Sequence, residues 1–185
     1  MPKTKIIKYQ KDFVKIFKSE KEKLKKILNK DTRIEHFGST AIPGTVGKGI
    51  IDIMAIFKNE KDRNDAVSSM KKTGYHVGDR KTSRGNRIFF SSTPKESRPK
   101  DKHIHLVIKG TKEHVEPILF RDFLLKNKEY IDQYNLLKDR LSKQYSREEY
   151  TQSKTDFVKD IIKKAKKTAD KTSGRETNKN ITIKI

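Results

Sequence analysis

The alternation of apolar and polar positions divides the chain into a leading helix, several short strands and a helical C-terminal part. Phe13, Phe17, Leu24 and Leu28 fall near one stripe with lysines and glutamates between them, which predicts a helix over residues 10–29. Asp31-Thr32 breaks that pattern, and Arg33-Ile34-Glu35-His36-Phe37 alternates as a short strand does. Gly38-Ser39-Thr40 follows as a turn, and Pro43-Gly44 and Gly47 keep the next stretch irregular. Ile50 to Phe57 is the most hydrophobic run in the chain and reads as a buried strand interrupted by one carboxylate, Asp52. Residues 60–72 read as a helix carrying Ala66, Val67 and Met70, ended by Gly74, with Tyr75-His76-Val77 opening another strand. Arg87 to Ser91 and His103 to Ile108 read as two strands suited to antiparallel pairing, with Pro94 to Lys102 as their polar connection.

From Lys112 onward the spacing is helical. Val115, Ile118, Leu119, Phe123 and Leu124 mark one helix; Tyr130, Tyr134, Leu137 and Leu141 mark a second; Phe157, Val158, Ile161 and Ile162 mark a third. Residues 164–185 are rich in Lys, Thr and Asn without a helical stripe, and read as a disordered basic tail. The short alternation Ile181-Thr182-Ile183 is too brief to count as an edge strand. The order of elements predicts one α+β domain over residues 1–163, a small mixed β-sheet flanked by helices with a C-terminal helical cap.

Charge adds a partner class to this picture. With 45 Lys+Arg against 24 Asp+Glu, the net charge of +21 attracts polyanions, nucleic acid among them. The excess is mostly lysine spread along the helices and the tail, as it also is on a merely solvated surface. The absence of cysteine excludes disulfides and thiolate metal sites. No apolar run approaches the roughly 18 residues of a membrane span, so no membrane partner is expected. Met1-Pro2-Lys3-Thr4-Lys5 lacks the apolar stretch of a secretory signal, and the expectation is a cytoplasmic protein.

The chemistry concentrates around Gly38-Ser39 and Asp52. A carboxylate inside an apolar strand is costly unless it is paired or binds a cation. A Gly-Ser turn brings backbone N–H groups and a hydroxyl close to a phosphate, because glycine lets the backbone approach. His103 and His105 stand two apart in a strand and so share a face. Beside the Asp52 strand they make a set of two imidazoles and one carboxylate, which suits Mn²⁺ or Zn²⁺ better than Mg²⁺. Two histidines on the wet face of an edge strand is the other reading, and the spacing leaves both open. Arg121 is either a bidentate clamp for phosphate or the partner of Asp52 or Asp122 in an ion pair. Lys48 either touches phosphate or is one more solvated lysine. Ser39 suits a hydrogen-bond donor better than a nucleophile, since no base is placed beside it by spacing. His36 reads as packing at a strand end, Tyr134 and Tyr150 as helix contacts, and His76 and His114 as surface residues.

Glu35-His36-Phe37-Gly38-Ser39-Thr40-Ala41-Ile42-Pro43-Gly44, followed by Lys48-Gly49-Ile50-Ile51-Asp52-Ile53, resembles the signature of the GrpB family. His103-Ile104-His105-Leu106-Val107, Phe120-Arg121-Asp122-Phe123-Leu124, Tyr134, Leu137-Lys138, Tyr150 and Lys154 resemble it too, in family order across about residues 8–162. The resemblance implies a nucleotidyltransferase-like fold and transfer of a nucleoside monophosphate from a nucleoside triphosphate to an unidentified acceptor. It also implies a divalent metal (Mg²⁺ or Mn²⁺, with Zn²⁺ possible) held by Asp52, His103 and His105. Gly38, Ser39, Thr40 and Lys48 would bind the phosphates, with Asp52 and Arg121 as catalytic residues. Three positions depart from the pattern. The superfamily's second acid is Met54 here, the family's common Lys-Pro is Lys48-Gly49, and its usual apolar residue after Pro-Gly is Thr45. A single acid weakens a two-metal mechanism. It leaves two alternatives standing: a nucleotide- or polyanion-binding protein without turnover, and a basic nucleic-acid-binding protein.

Overall fold

The computed structural model describes residues 4–78, 87–93 and 98–179. In chain order it contains β1 (Ile7–Lys8), α1 (Asp12–Ile27), β2 (Arg33–Phe37), a single 3₁₀ turn (Ser39–Ala41), β3 (Val46–Gly47), β4 (Ile51–Phe57) and α2 (Glu60–Lys71). There follow β5 (His76–Val77), β6 (Arg87–Ser91), β7 (Lys102–Ile108), α3 (Lys112–Lys126), α4 (Lys128–Gln144), α5 (Arg147–Gln152) and α6 (Thr155–Lys179). The main sheet has the order β2-β4-β7-β6-β5, with β4 and β7 parallel and the other pairs antiparallel. The short strands β1 and β3 pair separately, Ile7 opposite Gly47. At two residues each they carry no periodicity for a sequence reading to detect.

β4 is apolar on both faces because both faces are covered. On one side Ile51, Ile53, Ala55 and Phe57 join Ile104 and Leu106 of β7 beneath Phe13 and Leu24 of α1 and Ala66 and Met70 of α2. Aromatic and aliphatic groups of this size each contribute about 1.5–3 kcal/mol when fully buried, so this layer dominates the fold's stability. On the other side Met54, Ile56 and Val107 pack with Phe37 and with Ile118 of α3. A second core lies in the helical cap, where Phe120, Leu124, Ile131, Tyr134, Ile161 and Ile162 enclose Ile42. Ile42 directly follows the 3₁₀ turn, so the cap and the Gly38-Ser39 turn are held to one another.

The mixed sheet, its flanking helices and the C-terminal cap match the α+β architecture expected, and β6 and β7 do pair antiparallel. The tail boundary differs. α6 continues as helix through Lys179, with Ala165 buried and Lys166 paired to Glu116 of α3 at 3.0 Å, so helical structure does not stop at Lys163. Residues 180–185, including Ile181-Thr182-Ile183, and Pro94 of the β6–β7 connection lie outside the described residues. Among the described residues no helix is long and apolar enough to cross a membrane.

Candidate metal and phosphate site

The parallel register of β4 and β7 sets Asp52 opposite His103 and Met54 opposite His105. Because alternate residues share a face, Asp52, His103 and His105 converge on the cap side of the sheet. His103 Nδ1 lies 3.6 Å and His105 Nε2 3.7 Å from Asp52 Oδ1, and the three candidate ligand atoms all fall within 4.8 Å of one another. Phe37 and Phe89 wall the histidines: Phe37 meets His105 edge-on at 5.0 Å, and Phe89 meets His103 edge-on at 4.8 Å.

Burial alone would raise the Asp52 carboxyl, but His105, His103 and the charge of Lys48 outweigh it and hold the group below its ordinary value. Burial lowers the His105 imidazole, Asp52 pulls it up and Arg87 pushes it down, so it stays below its usual range. That direction favours the neutral imidazole, which is the form that ligates. Its two ring nitrogens are buried with no partner at hydrogen-bond distance, the Asp52 carboxylate standing 3.7 Å from Nε2. A buried Nε2 facing the Asp52 carboxylate at 3.7 Å fits a cation held by Asp52, His103 and His105, and the donor set favours Mn²⁺ or Zn²⁺ over Mg²⁺.

The Gly38 turn closes the other side of Asp52. Gly38 has φ of +71°, and a methyl group there would overlap Asp52 Oδ2 and lie 3.1 Å from its Cγ, so only glycine brings the turn this near the carboxylate. The turn itself is pinned from behind. Thr40 Oγ1 donates to the Ile50 carbonyl at 2.9 Å, which leaves it to accept from His36 Nε2 at 3.0 Å. His36 in turn stacks on Phe17 of α1 at 4.7 Å, and burial pushes its imidazole down to about 4. Thr45 Oγ1 donates to the Ser39 carbonyl at 2.6 Å, so the hydroxyl that replaces the family's apolar residue braces the turn.

The structure separates the sequence-predicted residues into two groups. Gly38, Asp52, His103 and His105 gather at one place, Lys48 lies near enough for its charge to act on Asp52, and Ser39 follows Gly38 in the turn with its hydroxyl against Gly47. Thr40 does not present its hydroxyl there: it is buried, and its oxygen is occupied by Ile50 and His36. Arg121 pairs with Asp122, one of the two partners expected, and not with Asp52. It also pairs with Glu35 at 2.9 Å and donates to the His36 carbonyl at 2.6 Å, so it holds the end of β2 that leads into the turn. Burial would lower the Arg121 guanidinium, but Asp122 and Glu35 raise it further. His114 is half-buried and accepts from the Gly110 amide, while His76 is exposed as expected. Gly49 has φ of +72°, and a side chain there would run into Ile7, so glycine suits this turn before β4.

Two lysines of the cap pack against aromatic rings, which their sequence positions do not suggest. Lys138 is buried among Ile131, Tyr134 and Leu141 on α4, with its ammonium 3.9 Å over the Tyr134 ring and donating to the Val46 carbonyl. Lys154 lies 4.4 Å over the Tyr150 ring. The spacing Ile131-Tyr134-Lys138-Leu141 is a core stripe, and following it would have exposed Lys138 as a buried charge.

Residues 3–164 match the GrpB protein family. The glutamate-rich protein GrpB of Alkalihalophilus pseudofirmus is 31% identical over 157 residues, covering 83% of this chain and 90% of that protein. The crystal structure of the conserved protein GrpB from Enterococcus faecalis superposes with a TM-score of 0.77 at 27% identity, covering 89% of this chain and 99% of that one. The Cid1 poly(U) polymerase bound to MgATP shares the fold at a TM-score of 0.50 and 12% identity, covering 71% of this chain and 42% of the polymerase. The architecture is thus nucleotidyltransferase-like, and the chain belongs to the GrpB protein family.

Proposed function

We propose that the protein transfers a nucleoside monophosphate from a nucleoside triphosphate to an acceptor, in a metal-dependent reaction that releases pyrophosphate. The reading rests on one juxtaposition: a carboxylate held between the Gly38 turn and two histidines on a nucleotidyltransferase-like sheet. The Gly38-Ser39 backbone and the Ser39 hydroxyl receive phosphate oxygens, and Lys48 adds positive charge beside them. Asp52, His103 and His105 hold the divalent ion, which when bound neutralises charge on the transferring phosphoryl group. Arg121 acts as a positioning residue through Glu35 and His36.

Thermal-shift titration of Mn²⁺ and Zn²⁺, alone and with each nucleoside triphosphate, tests the reading, followed by mass analysis of products with pooled small-molecule, protein and RNA acceptors. Wild type is expected to be stabilised by metal and Asp52→Asn is not, because mass-action stabilisation needs an intact site. Unchanged metal response and turnover in Asp52→Asn would refute it. Met54 supports a second reading. It is buried with Ile56 and Val107 where a second acid would stand, which favours nucleotide binding without turnover. Under that reading metal and nucleotide still stabilise the protein, and no product forms.

A further inference from the structure

Beyond the metal triad, three lysines from separate parts of the chain gather on the cap side of Asp52. Lys48, in the loop before β4, donates to Thr151 Oγ1 at 3.3 Å and lies 6.0 Å from the Tyr150 ring centre. Lys154, in the turn between α5 and α6, lies over the same ring at 4.4 Å. Lys138 stands behind them on α4. Among the described residues neither Lys138 nor Lys154 has a carboxylate within ion-pairing distance, although the surface lysines around them commonly do. Tyr150 is 1% exposed, and its hydroxyl is buried without a hydrogen-bond partner. Two cations against one aromatic ring, with that ring's hydroxyl left unsatisfied, is an arrangement that an anion would complete.

We propose that Lys48, Lys154 and the Tyr150 hydroxyl form a phosphoryl subsite, closed by the C-terminal helices, that takes the terminal phosphates of an oligophosphate chain. Two ammonium groups and one phenol supply the donors that a phosphate dianion accepts, and Lys138 lies beneath them as an amine that burial holds down to about 6 and that an arriving dianion favours protonating. Burial and the nearby Lys48 push the Lys154 amine down to about 8 while Asp52 pulls it up, and an arriving dianion relieves that repulsion. The aromatic rings of Tyr134 and Tyr150 keep the amines in place by packing under them. The proposal deepens the nucleotide reading above, and it separates cleanly from it because the subsite contains no metal ligand. It assigns α5 and the α5–α6 turn a binding role, so the cap is part of the site rather than a support for the sheet.

The test is isothermal titration of the full chain with sodium tripolyphosphate in metal-free buffer, with adenosine monophosphate and adenosine triphosphate as further arms. Wild type is expected to bind tripolyphosphate and to bind adenosine monophosphate far more weakly. Lys48→Gln and Lys154→Gln are each expected to weaken tripolyphosphate by about tenfold, the loss of one charge-assisted hydrogen bond. Lys61→Gln, an exposed lysine on α2, is expected to change nothing. Asp52→Asn is expected to retain binding, even where it abolishes the metal response, so failure of the metal reading leaves this one intact. Parallel losses for adenosine triphosphate and tripolyphosphate identify the nucleotide tail as the ligand, and loss for tripolyphosphate alone identifies free oligophosphate; either supports the subsite. Tripolyphosphate binding that is absent from wild type, or that is equal in Lys48→Gln, Lys154→Gln and Lys61→Gln, overturns it. Circular dichroism of each variant separates lost binding from lost fold, and Lys48→Arg, which keeps the charge, is expected to retain binding.

Discussion

Replacing Lys138 with methionine removes a buried ammonium and keeps an unbranched side chain of similar length. In the fold, burial and the charge of Lys154 push the Lys138 amine from its ordinary 10.5 down to about 6. The unfolded chain therefore holds this proton up to about pH 10.5, while the folded chain gives it up above about pH 6. Between those values the unfolded state binds more protons, so stability rises with pH across the window and is flat below it. At 1.36 kcal/mol per pK unit, forcing the amine neutral costs about 5 kcal/mol at pH 7 and about 1 kcal/mol near pH 9.5. Methionine removes that cost but also forfeits the hydrogen bond to the Val46 carbonyl, about 1 kcal/mol. The variant is expected to be more stable than wild type by about 2–4 kcal/mol at pH 7 and no more stable near pH 9.5. Urea denaturation of both proteins, followed by circular dichroism at the two pH values, measures the difference. If the two stabilities differ by the same amount at both pH values, Lys138 is not held neutral by burial and the argument fails. The same substitution is expected to weaken tripolyphosphate binding, because the amine that can take up a proton when the dianion arrives is gone. A change that stabilises the free protein while weakening its ligand is the pattern of a residue kept for binding.

Gly38→Ala forces a side chain into a backbone of φ +71° and against the Asp52 carboxylate, so a loss of about 1–3 kcal/mol in urea denaturation is expected, together with loss of the Mn²⁺ thermal shift. Thr40→Val leaves the buried Ile50 carbonyl without its partner and is expected to cost about 1–3 kcal/mol by the same assay, with a smaller nucleotide-induced shift because the turn is no longer pinned. Arg121→Met leaves Glu35 to Arg33 alone and is expected to cost about 2–3 kcal/mol at pH 7. Burial would raise the Glu35 carboxyl but Arg121 and Arg33 hold it below its ordinary value, so that contribution is present above the unfolded value and disappears as pH falls through the folded one. The deficit of Arg121→Met should therefore shrink in acid, and a deficit that is constant from pH 7 to pH 3 would contradict the pairing.

What the sequence revealed and what it hid follow from the range of each interaction. The apolar run Ile50 to Phe57 with Asp52 inside it was legible because a buried parallel strand needs apolar residues on both faces, and the carboxylate stood out as the one costly exception. His103 and His105 were legible as a pair because a strand puts alternate residues on one face. Their position beside Asp52 was not, because strand neighbours are chosen by long-range packing. Arg121 illustrates the same limit: its pairing with Asp122 is local and was anticipated, whereas Glu35 is 86 residues away. Lys138 was missed for a different reason. Lysine on a basic helix reads as solvated, and the competing stripe through Tyr130 and Leu137 looked at least as regular as the stripe that is actually buried. That miss bears on the remaining question of Met54. With Met54 at the second position and no further carboxylate grouped with Asp52, His103 and His105 among the described residues, the site has fewer negative groups than a two-metal centre needs. On the reading proposed above, lysines set against the phosphates take the place of acids set around a second metal. The departure at Met54 and the buried lysines of the cap are then one electrostatic design. In that design less of the phosphate charge would be met by metal ions, and more of it by amines whose desolvation is offset only when an anion arrives.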